Sequence, residues 1–530
     1  MNHQKYIIIF SITVLLSAQP IHELTSAENE FSQHSMWIDP EIDHSAIVAR
    51  VGEIDITAGE FYINYEFGPA FFKRASDSKR RYLNVMIYEK LLALDGYAHG
   101  LALSPQVQDM LAAIEGDLMT EQLFRDDVMS HVNVTDKEIA EGVDKNNQHI
   151  TLQWIFTHDM QAIISDRRAL DAGASFDSLF VMQLDDSLTA DKRSLETTRF
   201  KIQIDNPFLS TIIDTMKVGT YSNPINVKDG WYIVKISAGW TNAMQTESEL
   251  RDQRYEIERK LFKHKLDRQS DSYVHKMMLD ENPIIKRAAF DNLINYLGKQ
   301  TLRPEKYDAW NLADYMNGSN DSNAPDLNQL LATCQSGDVT VEDFLDWYNM
   351  RKDYFHFEND SRDSFRNSLE ATIWKMLRNR FLIERARQQQ LQNRDDIQLQ
   401  KQWWLDKIVY AAMKDEIAAT IDVTDEQLQQ FYQENQNDYR CQNGNFISFD
   451  KAKINVKSDY IRQAYMTKMY RQILQLKNQY PIEINDDVLA QIQVSDEDNP
   501  KAIDVYFVKK GGTFPHQAHP TIDWEWRSWF

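Results

Sequence analysis

Apolar and polar positions follow two different periodicities along this chain. Apolar residues recur every three or four positions from residue 78 to 99 and again from residue 105 onward, which predicts two long amphipathic helices. Residues 149–156 and 231–236 are instead rich in β-branched and aromatic residues, and the second run follows a glycine turn. This composition predicts two β-strands. The chain therefore combines long helices with a short stretch of sheet.

Helix starts in the two halves of the chain carry the same polar signal. Thr57, Thr135, Thr340 and Thr424 each stand three positions before an acidic residue or a glutamine, which is the spacing of a capping box. The matches keep one order and a nearly constant offset. They predict that one helical module occurs twice in the chain.

The two copies differ by one insertion. The first copy is predicted at residues 47–147, with its returning helix in 239–300, and the second copy at 336–490. Between matching helices the first copy has about 90 residues more than the second. Residues 148–238 are therefore predicted to form an inserted domain.

Composition and charge exclude several classes of function. The 530 residues carry a net charge of −22, so a nucleic-acid partner is not expected, because phosphate binding needs patches of lysine and arginine. Glycine-rich phosphate loops, nucleophile elbows and His-Glu-x-x-His motifs do not occur in the sequence. The only two cysteines, Cys334 and Cys441, could pair in an exported protein, and nothing around them suggests zinc binding. His516 and His519 are a weak signal for a metal, and no metal site is predicted.

The first residues have the pattern of a secretory signal peptide. Lys5 precedes an apolar run of 11 residues, and small residues follow it as far as Ala27. A membrane span needs roughly 20 apolar residues, so we expect no span after cleavage. Residues 1–27 are predicted to be the signal peptide and 28–46 to be disordered. The mature protein is expected to be periplasmic or otherwise exported, and soluble.

Residues 148–238 contain four short motifs in one order. The motifs are Gly173-Ala-Ser-Phe176 with Leu179, Pro207-Phe208, Gly219-Thr-Tyr-Ser222 with Pro224, and Gly230-Trp231. This order resembles the parvulin (PpiC-type) peptidyl-prolyl isomerase domain. The resemblance implies a small antiparallel sheet with helices.

The resemblance also assigns the residues of a site. Trp154 and Tyr232 stand where the parvulin pattern has two histidines. Further positions implied by the resemblance are the proline pocket at Ile204 and Phe208 and an acidic or cysteine position at Asp186 or Ser187. No cofactor is implied. Because neither Trp154 nor Tyr232 supplies an imidazole, we expect weak or absent isomerase activity, while peptide binding through the aromatic and apolar residues survives.

The layout of the whole chain resembles the SurA/PpiD/PrsA group of exported foldases. It implies an α+β fold in which mostly helical chaperone modules occur in two copies around the inserted parvulin-type domain. Residues 301–335 are predicted to be a linker, and the aromatic tail in 491–530 is predicted to pack on the protein itself. The implied function is a chaperone for unfolded or nascent exported polypeptides. The alternatives are an active isomerase with altered site residues and a structural subunit of an envelope assembly.

Overall fold

A computed structural model describes most of the chain beyond the N-terminal region. The described residues are 43–69, 73, 77–184, 189–242, 246–301, 325–351, 357–441, 444–494 and 519–529. They form two compact units, a smaller one with residues 124–277 and a larger one with the residues before 124 and after 277. The predicted signal peptide, residues 28–42 of the predicted disordered segment and residues 302–324 of the predicted linker lie outside the described residues. No described helix is long and apolar enough to cross a membrane.

The described residues are mostly helical, with small antiparallel sheets, as the α+β prediction requires. The first part of the chain contains β1 (Ile47–Val51), β2 (Ile54–Thr57), α1 (Ala58–Glu66), α2 (Ser78–Ala98), α3 (Pro105–Asp127) and α4 (Asp136–Asn147). The inserted part contains β3 (Gln148–Thr157), α5 (Met160–Asp171), α6 (Phe176–Met182), β4 (Ser194–Thr198), α7 (Arg199–Asp205), α8 (Pro207–Ile213), β5 (Ile225–Val227) and β6 (Gly230–Thr241). The central part contains α9 (Glu247–Glu281), β7 (Ile284–Ile285) and α10 (Arg287–Thr301). The last part contains β8 (Leu330–Thr333), β9 (Val339–Thr340), α11 (Val341–Asn349), α12 (Arg362–Gln388), α13 (Asp395–Ala419), α14 (Asp425–Glu434), α15 (Phe449–Gln479), β10 (Ile482–Ile484) and α16 (Asp486–Gln491).

Two stretches of the chain, residues 47–285 and 330–484, share one order of elements apart from the inserted part of the first, and they are called the first and the second repeat. Each repeat has a hairpin, a short helix, two long helices, a short capped helix, a very long helix and a short strand. Thr57 and Thr340 cap α1 and α11, and Thr135 and Thr424 cap α4 and α14, so the four predicted helix starts are confirmed. The capping hydroxyls satisfy backbone N–H groups that a helix start leaves unpaired.

The last strand of each repeat joins the sheet of the other repeat. Strand β10 of the second repeat pairs with β1 of the first, with Arg50 opposite Glu483. Strand β7 of the first repeat pairs with β8 of the second, with Ile285 opposite Ala332. The strands that follow the two returning helices therefore pair across the repeats. The two repeats exchange their final strands.

Helices of the two repeats also pack on one another in the larger unit. Helix α2 of the first repeat lies against α13 of the second, and α3 packs with α12 and α13 around a shared apolar core. Gly96 allows α2 to lie close to α13, because a Cβ atom there would lie 2.7 Å from Cγ1 of Val409. The core of this unit therefore needs both repeats at once.

The cysteines Cys334 and Cys441 are both free, so they do not form the disulfide that the sequence left open.

Candidate functional site

The candidate site lies on the four-stranded antiparallel sheet of the smaller unit. Its strand order is β4-β3-β6-β5, and the longest pairing joins β3 to β6. Trp154 lies opposite Val234 and Phe156 opposite Tyr232, so these four side chains point to one face of the sheet. Helices α5 and α6 pack on the opposite face, where Ile155 belongs to a separate apolar cluster.

The two aromatic residues at the histidine positions of the parvulin pattern are brought together. Trp154 and Tyr232 are each 6% exposed and belong to the same apolar cluster. The hydroxyl of Tyr232 donates a hydrogen bond of 2.6 Å to Oδ2 of Asp229, three residues earlier at the glycine turn. Burial, and then the hydrogen bond to Asp229, raise the pKa of Tyr232 well above its ordinary value of 10.0. The phenol therefore stays neutral and remains a donor at neutral pH.

A cation lies beside this aromatic pair. The guanidinium carbon of Arg193 is 5.1 Å from the centre of the Phe156 ring, and that ring is 4.7 Å from the ring of Tyr232. Burial lowers the pKa of Arg193 from its ordinary value of 12.5. Its Nη1 is buried and has no hydrogen-bond partner among the described residues. A guanidinium has five N–H groups, so Arg193 keeps an unused donor beside the aromatic pair.

The residues assigned to the proline pocket lie outside the apolar cluster that contains Trp154 and Tyr232. Ile204 packs with a different cluster that contains Ile139, Val143 and Phe200, and Phe208 is 50% exposed. Ile202 and Leu209 take their places in the cluster with Trp154 and Tyr232. The reason is helical geometry, since residues one or two positions apart in a helix point in different directions.

The cap of α8 fixes this orientation. The side chain of Asn206 accepts a hydrogen bond from the backbone N–H of Leu209, and Pro207 occupies the first turn. With the helix start held in this way, Leu209 and Ile213 face the sheet and Phe208 faces outward. Asp186 and Ser187, the assigned acidic or cysteine positions, lie outside the described residues.

The structure gives physical reasons for two of the sequence motifs. Gly230 has a φ of +150°, and a Cβ atom there would lie 2.6 Å from the ring of Phe156 and 2.8 Å from the carbonyl oxygen of Thr157. Ser222 is 4% exposed and accepts a hydrogen bond from the backbone N–H of Val234, while it donates to the carbonyl of Asn223. The serine therefore fastens the segment before β5 to β6, on the strand that carries Tyr232.

Arg193 and Asp229 are the polar residues of this face that the sequence did not reveal. Arg193 ends a one-turn 3₁₀ helix, Ala190–Arg193, directly before β4, where no motif marks it. Asp229 stands next to Gly230, and its place in the Gly-Trp turn is the one signal that could have identified it. Among the described residues, no group of three histidine, cysteine or acidic side chains lies close enough to hold a metal ion.

Comparisons with known proteins give distant structural likenesses. No protein-family profile matches the chain, and a search of curated proteins finds no match. The chain is similar to the peptidylprolyl isomerase PrsA of Bacillus anthracis, with 19% identity over 30% of this chain and 69% of that chain, at a TM-score of 0.21. It is also similar to PrsA of Bacillus subtilis, with 20% identity over 44% of this chain and 93% of that chain, at a TM-score of 0.16. The foldase protein PrsA of Streptococcus pneumoniae gives 14% identity over 43% of this chain and 93% of that chain, at a TM-score of 0.19.

Proposed function

We propose that this protein is an exported chaperone that binds unfolded polypeptides, and that its smaller unit is a parvulin-type domain that binds peptides with little or no isomerase activity. The motif order in residues 148–238 and the glycine turn at Gly230 support the parvulin assignment. The pattern of residues 1–27 supports export.

One observation carries the proposal for the smaller unit. Trp154 and Tyr232 fill the two histidine positions with buried aromatic side chains, and the Tyr232 hydroxyl is engaged by Asp229. Rotation about a prolyl bond meets a barrier of about 18–20 kcal/mol, because it breaks amide resonance. A catalyst must therefore bind the twisted amide better than the planar one. The packed aromatic side chains at both positions leave no pair of imidazoles beneath a bound amide, while exposed apolar side chains such as Phe208 offer surface to a peptide.

Exposed apolar side chains on the helices support polypeptide binding. In the larger unit Tyr470 and Leu474 lie one turn apart on α15 and are 52% and 43% exposed, and Ile454 on the same helix is 85% exposed. In the smaller unit Tyr255 on α9 is 54% exposed. Unfolded chains expose similar apolar groups, and contact between the two removes both from water.

The two histidine positions provide the direct test of the proposal. The double variant Trp154→His and Tyr232→His should raise the rate of prolyl isomerisation of a short Xaa-Pro peptide by at least about tenfold, which corresponds to about 1.4 kcal/mol of transition-state stabilisation. The matched control is Trp154→Phe with Tyr232→Phe, which also reduces side-chain volume but adds no imidazole. Both variants should suppress aggregation of an unfolded client as the wild type does. An unchanged rate in a folded histidine variant would contradict the proposal that histidine loss limits this site.

A further inference from the structure

The C-terminal segment of the chain occupies a groove in the larger unit. The groove is lined by Asn64 of α1, Glu89 of α2, and Lys407, Tyr410 and Lys414 of α13. The three α13 residues recur at positions i, i+3 and i+7, so they share one face of that helix. The groove therefore uses side chains from both repeats.

The groove binds the main chain of the segment through side chains. Nδ2 of Asn64 donates to the carbonyl of Pro520 at 2.8 Å, and its Oδ1 accepts from the backbone N–H of Ile522 at 3.2 Å. Oε1 of Glu89 accepts from the backbone N–H of Asp523 at 3.0 Å. An asparagine amide can donate and accept at once, so one residue satisfies a carbonyl and an N–H group of the segment. None of these contacts depends on the identity of the bound side chains.

An acidic side chain of the segment fills a cationic pocket. Nζ of Lys407 lies 2.8 Å from one carboxylate oxygen of Asp523, and Nζ of Lys414 lies 2.6 Å from the other. The Tyr410 hydroxyl donates to the same carboxylate at 2.8 Å. Charge-assisted hydrogen bonds of this kind are roughly twice as strong as neutral ones. The pocket therefore selects an acidic residue at this position.

An indole fills the second pocket, three residues later. Trp526 is fully buried, its ring lies 5.9 Å from that of Tyr88, and its Nε1 donates to Oε1 of Glu89 at 2.8 Å. Trp524, two residues earlier, is 53% exposed. A buried indole needs a partner for its N–H, and Glu89 supplies it. The groove thus distinguishes the two tryptophans by position.

The contacts of the segment are those of a bound peptide, namely main-chain hydrogen bonds, one carboxylate in a cationic pocket and one buried indole. Among the described residues of the larger unit, the strands and α-helices end at Gln491, and the segment adds one 3₁₀ helix, Trp524–Trp529. We propose that the groove is a peptide-binding site for segments with an acidic residue three positions before a tryptophan, and that the chain's own C-terminus is its intramolecular ligand. A second polypeptide with the pattern of Asp523 and Trp526 binds there in place of the tail. This site is independent of the sheet face in the smaller unit.

Cleavage of the full-length chain tests whether the segment can be exchanged. A specific protease site is inserted between residues 500 and 510, the purified folded protein is cut, and a fluorescent peptide of residues 519–530 is added. We expect the cut protein to take up the peptide, measured by fluorescence anisotropy, while its helical circular dichroism stays unchanged. The uncut protein should bind the same peptide at least about tenfold more weakly, because a tethered tail competes at an effective concentration in the millimolar range.

Peptide variants test which side chains are recognised. Peptides with Asp523→Asn or Trp526→Ala should compete at least about tenfold less well than the natural peptide, a difference of about 1.4 kcal/mol. The Trp524→Ala peptide should compete as well as the natural one. Three results would overturn the proposal: no uptake by the cut protein, loss of helical signal when the fragment leaves, or equal competition by the Trp524 and Trp526 variants. None of these readouts uses isomerase activity or client aggregation, so failure here leaves the proposed function untouched.

Discussion

Lys90 is buried and forms ion pairs with a carboxylate from each of the two repeats. Its ammonium lies 2.7 Å from the carboxylate of Glu60 in the first repeat and 2.7 Å from that of Asp406 in the second. Burial alone would lower the pKa of Lys90, but the attraction of the two carboxylates outweighs it and raises the pKa above its ordinary value of 10.5. The lysine stays charged, and loss of that charge would leave two buried carboxylates facing each other.

Replacement of Lys90 tests this buried cluster. We expect Lys90→Met to lower the free energy of unfolding by about 3–5 kcal/mol, since removal of one partner leaves uncompensated buried charge. The matched control is Lys453→Met, which removes an ion pair to Asp425 whose side chains are 42% and 71% exposed. The control should change stability by less than about 1 kcal/mol. Urea unfolding measures both, and equal effects would show that the cluster adds nothing beyond a surface pair.

Asp523 gives a prediction for pH. Burial would raise the pKa of Asp523, but Lys407 and Lys414 hold it below its ordinary value of 3.8. A carboxyl with a lowered pKa in the folded state adds stability that is present above pH 3.8 and is lost as the pH falls below it. The stability advantage of wild type over Asp523→Asn should thus be constant at neutral pH and shrink in acid.

The same variant also shows how Asp523 acts on the groups beside it. Burial raises the pKa of Glu89 and the charge of Asp523 raises it further, so the difference between wild type and Asp523→Asn reports Asp523 together with its effect on Glu89. Unfolding curves at a series of pH values give this difference. An advantage that is independent of pH across the acid range would contradict the assigned ion pairs.

The structure places the two site residues assigned on strands in one apolar cluster and leaves the two assigned on short helices outside it. Trp154 and Tyr232 were placed together, because side chains alternate along a strand and the strands were recognisable. Ile204 and Phe208 were assigned on short helices, where a shift of one position turns a side chain by about 100°. Arg193 could not be found, because it lies beside Phe156 only once β4 pairs with β3, and no motif marks that pairing.

At the scale of elements, local sequence patterns predicted where helices start but did not predict the shortest strands. The threonine caps fixed the starts of α1, α4, α11 and α14, because a cap depends only on neighbouring residues. Strands β7 and β10 have two and three residues, and each follows a proline. Such short strands carry no pattern that specifies a partner, so the exchange of strands between repeats is visible only in the structure.

Paired cysteines test the exchange of strands. In a Cys334→Ser and Cys441→Ser background, Arg50→Cys with Glu483→Cys should form an intramolecular disulfide on oxidation, because these residues are direct cross-strand partners. The matched control combines Arg50→Cys with Ile285→Cys, the corresponding position of the other final strand. The control pair should stay reduced, as shown by thiol titration and non-reducing gels. A disulfide in the control, with none in the first pair, would show that each repeat closes on itself.

At the scale of the whole molecule, two compact units predict two unfolding events. Phe200 is a core residue of the smaller unit and Phe365 one of the larger, and both are almost completely buried. Phe200→Ala and Phe365→Ala should each cost about 3–5 kcal/mol and shift different transitions in calorimetry. If both variants moved one common transition, the two units would unfold as one.

Peptide binding without efficient catalysis is the central property that we propose for the parvulin-type domain. The deciding measurement is prolyl isomerisation of a short Xaa-Pro peptide by the purified mature protein, beside suppression of aggregation of an unfolded client. We predict clear suppression with isomerisation at the uncatalysed rate, which has a time constant of tens to hundreds of seconds. Acceleration well above that background would contradict the account, because it would mean that Trp154 and Tyr232 support catalysis without the two histidines.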